Sequence, residues 1–253
     1  LPPGGTVVVA RDREALLGVT EYALDPSLVF GDASRSLDNG GDRVMLVPSR
    51  GTAESVTYDD GFPWPVAADA LGASEAWLPA EWLPLERHRH RGVSLERVSC
   101  ALPADDPASW APSPLDGPTP GWTDAGDAAV APPIVTALAV NPTPVTATSP
   151  LTVTATLSTA EGLGPVSLEH FVDDVTVTDE PTETLAMTAT GGAVFSASIP
   201  APAAGAVVRY RILLDGAPLS PRPSDPYRWH AVFADPGLET ASRTYHLFLS
   251  PDD

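Results

Sequence analysis

Two clusters of side chains between residues 73 and 91 carry chemistry suited to ligand contact. The first is a pair of Trp-Leu-Pro units five residues apart, built around Trp77 and Trp82. Aromatic rings at this spacing can bury a partner's surface or stack on sugars. The structural alternative is a proline-rich loop whose tryptophans fold back onto their own domain.

The second cluster is the only basic run of an otherwise acidic chain, Arg87-His88-Arg89-His90-Arg91. On an extended strand the two histidines share one face, so they offer two imidazoles to a metal ion or form a pH-sensitive surface. Two ligands do not make a selective metal site. The three arginines can instead grip an anionic glycan or the acidic surface of another copy. A solvated loop is the plain structural alternative.

Acidic residues elsewhere suggest calcium, but their spacing favours turns. Segment 38–42 resembles the start of a calcium loop, yet its sixth position is Arg43, and Ser49 stands where a bidentate glutamate belongs. Adjacent side chains of an extended chain point in opposite directions, so we interpret three acidic pairs as solvated turns. Calcium stays an open alternative, and no other metal or cofactor is predicted. The pairs are Asp59-Asp60, Asp105-Asp106 and Asp173-Asp174.

Several enzyme classes are excluded by missing functional groups. All 14 basic residues are arginine, so the chain has no lysine for a phosphate-binding P-loop or a Schiff base. Cys100 stands alone and can form neither an intrachain disulfide nor a multi-cysteine zinc site. The sequence around Ser74 lacks the second glycine of a nucleophile elbow. We therefore predict no catalytic residues, and the net charge of -19 argues against nucleic acid as a partner.

Short strands must position these residues, because 29 prolines and 20 glycines interrupt the chain. One helical turn is predicted over 11–17, with acidic residues near its start that favour the helix dipole. An Asn-Gly turn predicts a hairpin between 33–38 and 42–47. Further strands in the first half are predicted over 6–10 and 54–58.

The second half is a series of alternating segments typical of a β-sandwich. In 151–157 the period of two places apolar residues on one face and threonines on the other. The longest apolar run, 128–140, is too short to span a bilayer and contains two adjacent prolines, so no transmembrane segment is predicted. Strands are predicted over 134–140, 151–158, 166–172, 184–190, 193–199, 206–214 and 227–234.

The first half resembles the lamin-tail domain of secreted bacterial proteins through segments 1–10, 37–44, 58–60, 64–65, 92–98, 109–113 and 119–121. Trp64 and Trp110 match positions of that family and are interpreted as core or turn packing residues. The family's opening strands, which precede the Pro-Gly-Gly turn, are missing, and 73–91 stands as an insertion. The resemblance therefore implies an incomplete sandwich whose unpaired edge favours association.

The second half is similar to the immunoglobulin-like or fibronectin-III-like modules that follow lamin-tail domains in bacterial surface proteins. Segment 244–251 resembles the lead into a spore-coat-protein-H-like (CotH-like) kinase domain. The expected fold is all-β, with an incomplete lamin-tail (immunoglobulin-like) β-sandwich and a second immunoglobulin-like β-sandwich. The expected boundaries are 1–122 for the lamin-tail-like domain, 123–133 for a linker, 134–236 for the second domain and 237–253 for a further segment.

These observations favour a noncatalytic surface or scaffold module of an exported bacterial protein, located outside the cell or at its envelope. One alternative is the accessory region of a CotH-like kinase whose catalytic domain lies beyond residue 253. Another is a carbohydrate-binding module that uses Trp77, Trp82 and the arginines of the basic run. The expected partners are a protein or a cell-surface glycan, together with flanking domains of the same chain.

Overall fold

The computed structural model describes residues 5–31, 37–38, 40–48, 51, 54–66, 93–113, 118–121, 130–174, 176–177, 179–225 and 227–237. Of these residues, 42% lie in strands and 8% in helices, in agreement with the predicted all-β class. The chain divides into two compact units, Leu1–Pro132 and Pro133–Asp253. Within the described ranges, no helix is long and apolar enough to cross a bilayer.

The first unit opens with a short helix tied to a two-stranded parallel sheet. The carboxylate of Asp12 caps the helix by accepting a backbone amide hydrogen bond of 2.8 Å. The first residue of the helix, Arg13, donates from Nε to the carbonyl oxygen of Val29 in the sheet, also at 2.8 Å. The predicted helical turn is confirmed. The elements are β1 (Val8–Val9), α1 (Arg13–Leu17), β2 (Val29–Phe30) and 3-10 turns at Thr20–Tyr22 and Pro26–Leu28.

Two antiparallel pairs follow in the first unit, β3 (Gly41–Leu46) with β4 (Glu54–Asp59) and β5 (Leu95–Arg97) with β6 (Trp110–Pro112). A 3-10 turn at Pro107–Ser109 leads into β6. The strand predicted over 54–58 is confirmed. The hairpin partner predicted over 33–38 lies mostly outside the described residues, and its last two residues are not in a strand.

Gly41 is needed where β3 begins. Its φ is +121°, a conformation that L side chains rarely adopt. A Cβ at this position would lie 2.9 Å from the carbonyl oxygen of Tyr58 on β4, which is closer than van der Waals contact allows. Glycine therefore lets the two strands approach at this end of the pair and sets the position of Tyr58.

The second unit consists of two antiparallel sheets that share one hydrophobic core. The four-stranded sheet has the order β11-β12-β8-β7. The five-stranded sheet has the order β10-β9-β13-β14, and β15 also pairs with β13. The strands are β7 (Val135–Asn141), β8 (Leu151–Leu157), β9 (Val166–Asp173), β10 (Glu183–Ala186), β11 (Thr188–Gly191), β12 (Val194–Ile199), β13 (Val207–Leu214), β14 (Ala217–Ser220) and β15 (His230–Phe233).

Alternation along the strands builds this core. On β8, every second residue from Leu151 to Leu157 is buried and the threonines between them are partly exposed, which confirms the predicted period. Leu168 on β9 and Ile212 on β13 are fully buried against them from the other sheet. Burying one such side chain stabilises the fold by about 1.5 to 3 kcal/mol.

One predicted strand proves to be two. Segment 184–190 was expected to be continuous, but β10 pairs with β9 in one sheet and β11 pairs with β12 in the other. The chain changes sheets at Met187, which is buried in the shared core. Strand β14 was not predicted. Its pairing with β13 depends on a tight turn in which Asp215 has a positive φ of 52° and Gly216 one of 79°.

Candidate binding cleft

A cleft of about 450 Å³ opens in the first unit between the two antiparallel pairs. Its first wall comes from one face of β3 and β4, where Val44 and Val56 are cross-strand partners and Tyr58 follows two residues along. Its second wall comes from Leu95 on β5 and Trp110 on β6. Side chains two residues apart on a strand share a face, so the pairing of each sheet turns these apolar groups toward the same space.

The indole of Trp110 is held in place by two contacts. Its Nε1 donates to the carbonyl oxygen of Ala104 at 2.8 Å. Its ring lies 6.1 Å from that of Trp64, tilted by 45°, and Trp64 is only 7% exposed. Both tryptophans therefore pack as the sequence predicted. The role of Trp110 in the cleft was not predicted, because its neighbours there come from strands about 50 residues earlier in the chain.

Three exposed carboxylates border the cleft, those of Asp38, Asp59 and Asp60. Asp38 accepts from the amide of Gly40 at 2.9 Å, and Asp59 accepts from the amide of Gly61 at 2.8 Å. These bonds fix both aspartates in turns, as predicted for the Asp59-Asp60 pair. Each carboxylate keeps further lone pairs for a ligand.

The negative charges near the cleft affect the hydroxyl of Tyr58. Its hydroxyl donates to the carbonyl oxygen of Asp38 at 2.7 Å. Burial raises the pKa of Tyr58, and the negative charges of Asp42 and Asp38 raise it further. None of the described lining residues is basic. Arg97 is engaged elsewhere, since it forms an ion pair with Glu54 at 3.0 Å. The described lining is therefore apolar on its walls and negative at its edge.

The second unit contains a row of polar rings, of which Tyr210 and His170 are buried and His230 is partly buried. Tyr210 on β13 pairs in register with His170 on β9 and His230 on β15, so all three lie on the core face of the sheet. Burial raises the pKa of Tyr210 to about 12 and lowers that of His230 to about 4. Burial also lowers the pKa of His170, although Glu183 opposes this shift. Both imidazoles are therefore neutral at neutral pH.

Ser220 and His230 form the one described contact that resembles a nucleophile with its base, with 2.9 Å between Oγ and Nε2. Nucleophilic catalysis requires a hydroxyl that a substrate can reach. Ser220 is only 3% exposed, so this contact gives a buried hydroxyl a hydrogen-bond partner in a partly buried imidazole. Beside this row, His170 lines a smaller cleft of about 280 Å³, with its Nε2 3.9 Å from Oε2 of Glu183.

The outer face of the same sheet carries a stack of charged and aromatic side chains. The guanidinium of Arg211 lies 4.2 Å from the ring centre of Trp229, and its Nε donates to Glu169 at 2.5 Å. Phe171 meets the edge of Trp229 at 4.9 Å between ring centres. These contacts arise from long-range strand pairing, so no local sequence motif predicts them.

The remaining acidic pairs serve local structure. Asp106 caps the turn at Pro107–Ser109, and Asp174 accepts from the amide of Thr176, as predicted for turns. Asp173 differs from the prediction, because it lies at the end of β9 and pairs with Arg209 at 2.7 Å. Among the described residues, no three His, Cys, Asp or Glu side chains are grouped to hold a metal ion.

The site residues predicted from sequence lie outside the described part of the chain: Trp77, Trp82, Arg87, His88, Arg89, His90 and Arg91. Their roles stay predictions. Comparisons with protein-family models, curated proteins and solved structures found no match for the chain.

Proposed function

We propose that this chain is a noncatalytic interaction module of an exported bacterial protein, and that it acts through the cleft of its first unit. The observation that carries the proposal is the combination of apolar walls, a fixed indole and exposed carboxylates around about 450 Å³ of open space. Binding sites typically have volumes of about 300 to 1,000 Å³, with mostly apolar walls and a few placed polar groups.

Exposed apolar residues on β3 and directly after it support the same proposal. Val44 is 45% exposed, and Leu46 and Val47 are 69% and 68% exposed. Apolar patches on a protein surface commonly mark contacts with other molecules. Val44 lies on the wall of the cleft, so the exposed strand and the cleft form one continuous candidate surface.

For the two units we further propose the families suggested by sequence. The second unit would be an immunoglobulin-like sandwich, which its two antiparallel sheets around one core support. The first would be a lamin-tail-like domain. Its antiparallel pairs β3-β4 and β5-β6 agree with the all-β character that this proposal requires. Both modules commonly present binding surfaces on a rigid framework.

Selection from a random peptide library displayed on phage tests the binding role. We expect recurrent peptides that bind the full chain. They should bind at least about tenfold more weakly to Val44→Asp, because a charge then lies on the apolar wall. Val9→Asp is the matched control, since Val9 is 70% exposed and does not line the cleft. A library without recurrent binders, or equal binding to both variants, would contradict the proposal.

A further inference from the structure

We infer that His170 and Glu183 are a pH-sensitive switch of the second unit, in which protonated His170 binds the carboxylate of Glu183 and neutral His170 releases it. The two residues are cross-strand partners, His170 on β9 and Glu183 on β10, and both line the smaller cleft of about 280 Å³. The inference rests on contacts within the second unit, so it is independent of the interaction function proposed for the first unit.

The two members of the pair differ in burial. The side chain of His170 is 7% exposed, whereas that of Glu183 is 74% exposed. Nε2 of His170 is itself buried, and it has no hydrogen-bond partner among the described residues. A buried nitrogen in this position has lost its hydrogen bonds to water without gaining one from the protein, which is uncommon and destabilising. A closer approach of the Glu183 carboxylate would give the protonated nitrogen a partner.

The distance between the two groups sets the size of the movement. Nε2 of His170 lies 3.9 Å from Oε2 of Glu183, which is too long for a hydrogen bond. A charge-assisted hydrogen bond from a cationic nitrogen to a carboxylate is about 2.7 to 2.9 Å long, so the carboxylate must approach by about 1 Å. The exposed side chain of Glu183 can make this movement by changing its rotamer, without any shift of the backbone.

Protonation of His170 provides the attraction. Burial lowers the pKa of His170, and the negative charge of Glu183 opposes this shift. The imidazole is therefore neutral at neutral pH and takes up its proton at a pH below about 6.5, the ordinary value for histidine. A carboxylate close to the imidazole favours its charged form. The ion pair is therefore absent at neutral pH and forms as the solution becomes acidic.

Among the described residues, Glu183 is the one charged group that affects the pKa of His170. The partner of His170 on β13 is Tyr210, whose pKa burial raises to about 12, so the phenol stays neutral. His230 on β15 lies on the other side of Tyr210, and burial lowers its pKa to about 4. Ile199 and segment 200–203, which also line the cleft, carry no ionisable side chain.

Formation of the ion pair changes one edge of the second unit. Strand β10 has four residues and lies at the end of its sheet, where β9 is its described neighbour. The ion pair adds a side-chain link between these two strands. It also moves the carboxylate of Glu183 toward β9 beside the smaller cleft, so acid changes the lining of that cleft.

An NMR titration of the full chain tests the switch. The imidazole signals of His170 are assigned with His170→Gln, and the side-chain carboxyl signal of Glu183 with Glu183→Gln. We expect the carboxyl signal to shift with the same midpoint as the protonation of His170. The δ1 methyl signal of Ile199, which lines the cleft, should shift at that midpoint too. The reference is Ile134, which lies outside the cleft at the opposite end of β8 and should not follow it.

Three variants locate the charge effect. Glu183→Gln keeps the size of the side chain and removes its charge, so it should lower the pKa of His170 and reduce the shift of Ile199. Glu183→Asp keeps the charge and should retain a higher pKa of His170 than Glu183→Gln does. The matched control is Glu161→Gln, because Glu161 is exposed and does not line the cleft. This control removes the same charge and should leave the pKa of His170 unchanged.

Two results would overturn the inference. One is an equal pKa of His170 in Glu183→Gln and in the unsubstituted chain. The other is a carboxyl signal of Glu183 that does not respond when His170 is protonated, because the carboxylate would then not bind the imidazolium. Loss of peptide binding in Val44→Asp tests the first unit alone, so either proposal can fail while the other holds.

Discussion

Replacing His230 with glutamine removes a partly buried, titratable imidazole from the second unit. The side chain lies beside Tyr210, with 5.3 Å between ring centres, and its Nε2 contacts Oγ of Ser220 at 2.9 Å. A glutamine amide can keep a hydrogen bond to that hydroxyl and does not take up a proton. We expect His230→Gln to make the stability of this unit less sensitive to acid.

The sign and size of the effect follow from the lowered pKa. Burial brings the pKa of His230 to about 4 in the folded chain, against about 6.5 for an exposed imidazole. The unfolded chain therefore takes up the proton first as pH falls. The stability is complete above about pH 6.5 and is lost progressively toward about pH 4. Between about pH 7.5 and pH 5 the loss assigned to His230 is about 2 kcal/mol.

Urea unfolding followed by methyl NMR measures this loss of stability in the second unit. The chain has three isoleucines, Ile134, Ile199 and Ile212, and all three are buried in the second unit. Labelling their δ1 methyl groups therefore reports on that unit within the full chain. The free energy of unfolding is determined at about pH 7.5 and pH 5 for both proteins, and the two pH differences are then subtracted.

Subtracting the two pH differences cancels the contributions of the other titrating groups of the unit to the free energy of unfolding. His170 has a pKa lowered by burial, and Asp225 has one raised by burial, and both are present in the two proteins. The unsubstituted chain should lose about 2 kcal/mol more than His230→Gln on acidification. If both proteins lose the same free energy, His230 is not held neutral by the core and the reasoning fails.

Two further predictions concern the same unit and use the same assay. Leu168→Ala should destabilise this unit by about 2 to 5 kcal/mol, because Leu168 is fully buried. The control is Val172→Ala at a 51% exposed position, which should change the stability by less than about 1 kcal/mol. Arg211→Met should lower stability by about 1 to 3 kcal/mol, because it leaves the largely buried carboxylate of Glu169 with its hydrogen bond from Thr182 but without its ion-pair partner, and it removes the stack on Trp229. An unchanged midpoint for Arg211→Met would show that the stack does not stabilise the sheet.

Part of the site could be anticipated from local sequence. The Asp59-Asp60 pair was correctly interpreted as a turn, and Trp64 and Trp110 as packing residues. The cleft itself could not be anticipated. Tyr58 and Trp110 are separated by about 50 residues. The strand pairing decides which side chains meet across the cleft, and no local sequence pattern specifies that pairing.

By itself, the sequence predicted most strands of the second unit, although not β14, and which face of a strand such as β8 is apolar. That information is local, because side chains alternate along every strand regardless of its partner, as 151–157 shows on β8. Only the tertiary structure decided the partners. It divided 184–190 between two sheets at Met187, placed His170 and His230 on either side of Tyr210, and brought Tyr58 toward Trp110. The physical reason is that backbone hydrogen bonds can join any two extended segments, so long-range packing selects among them.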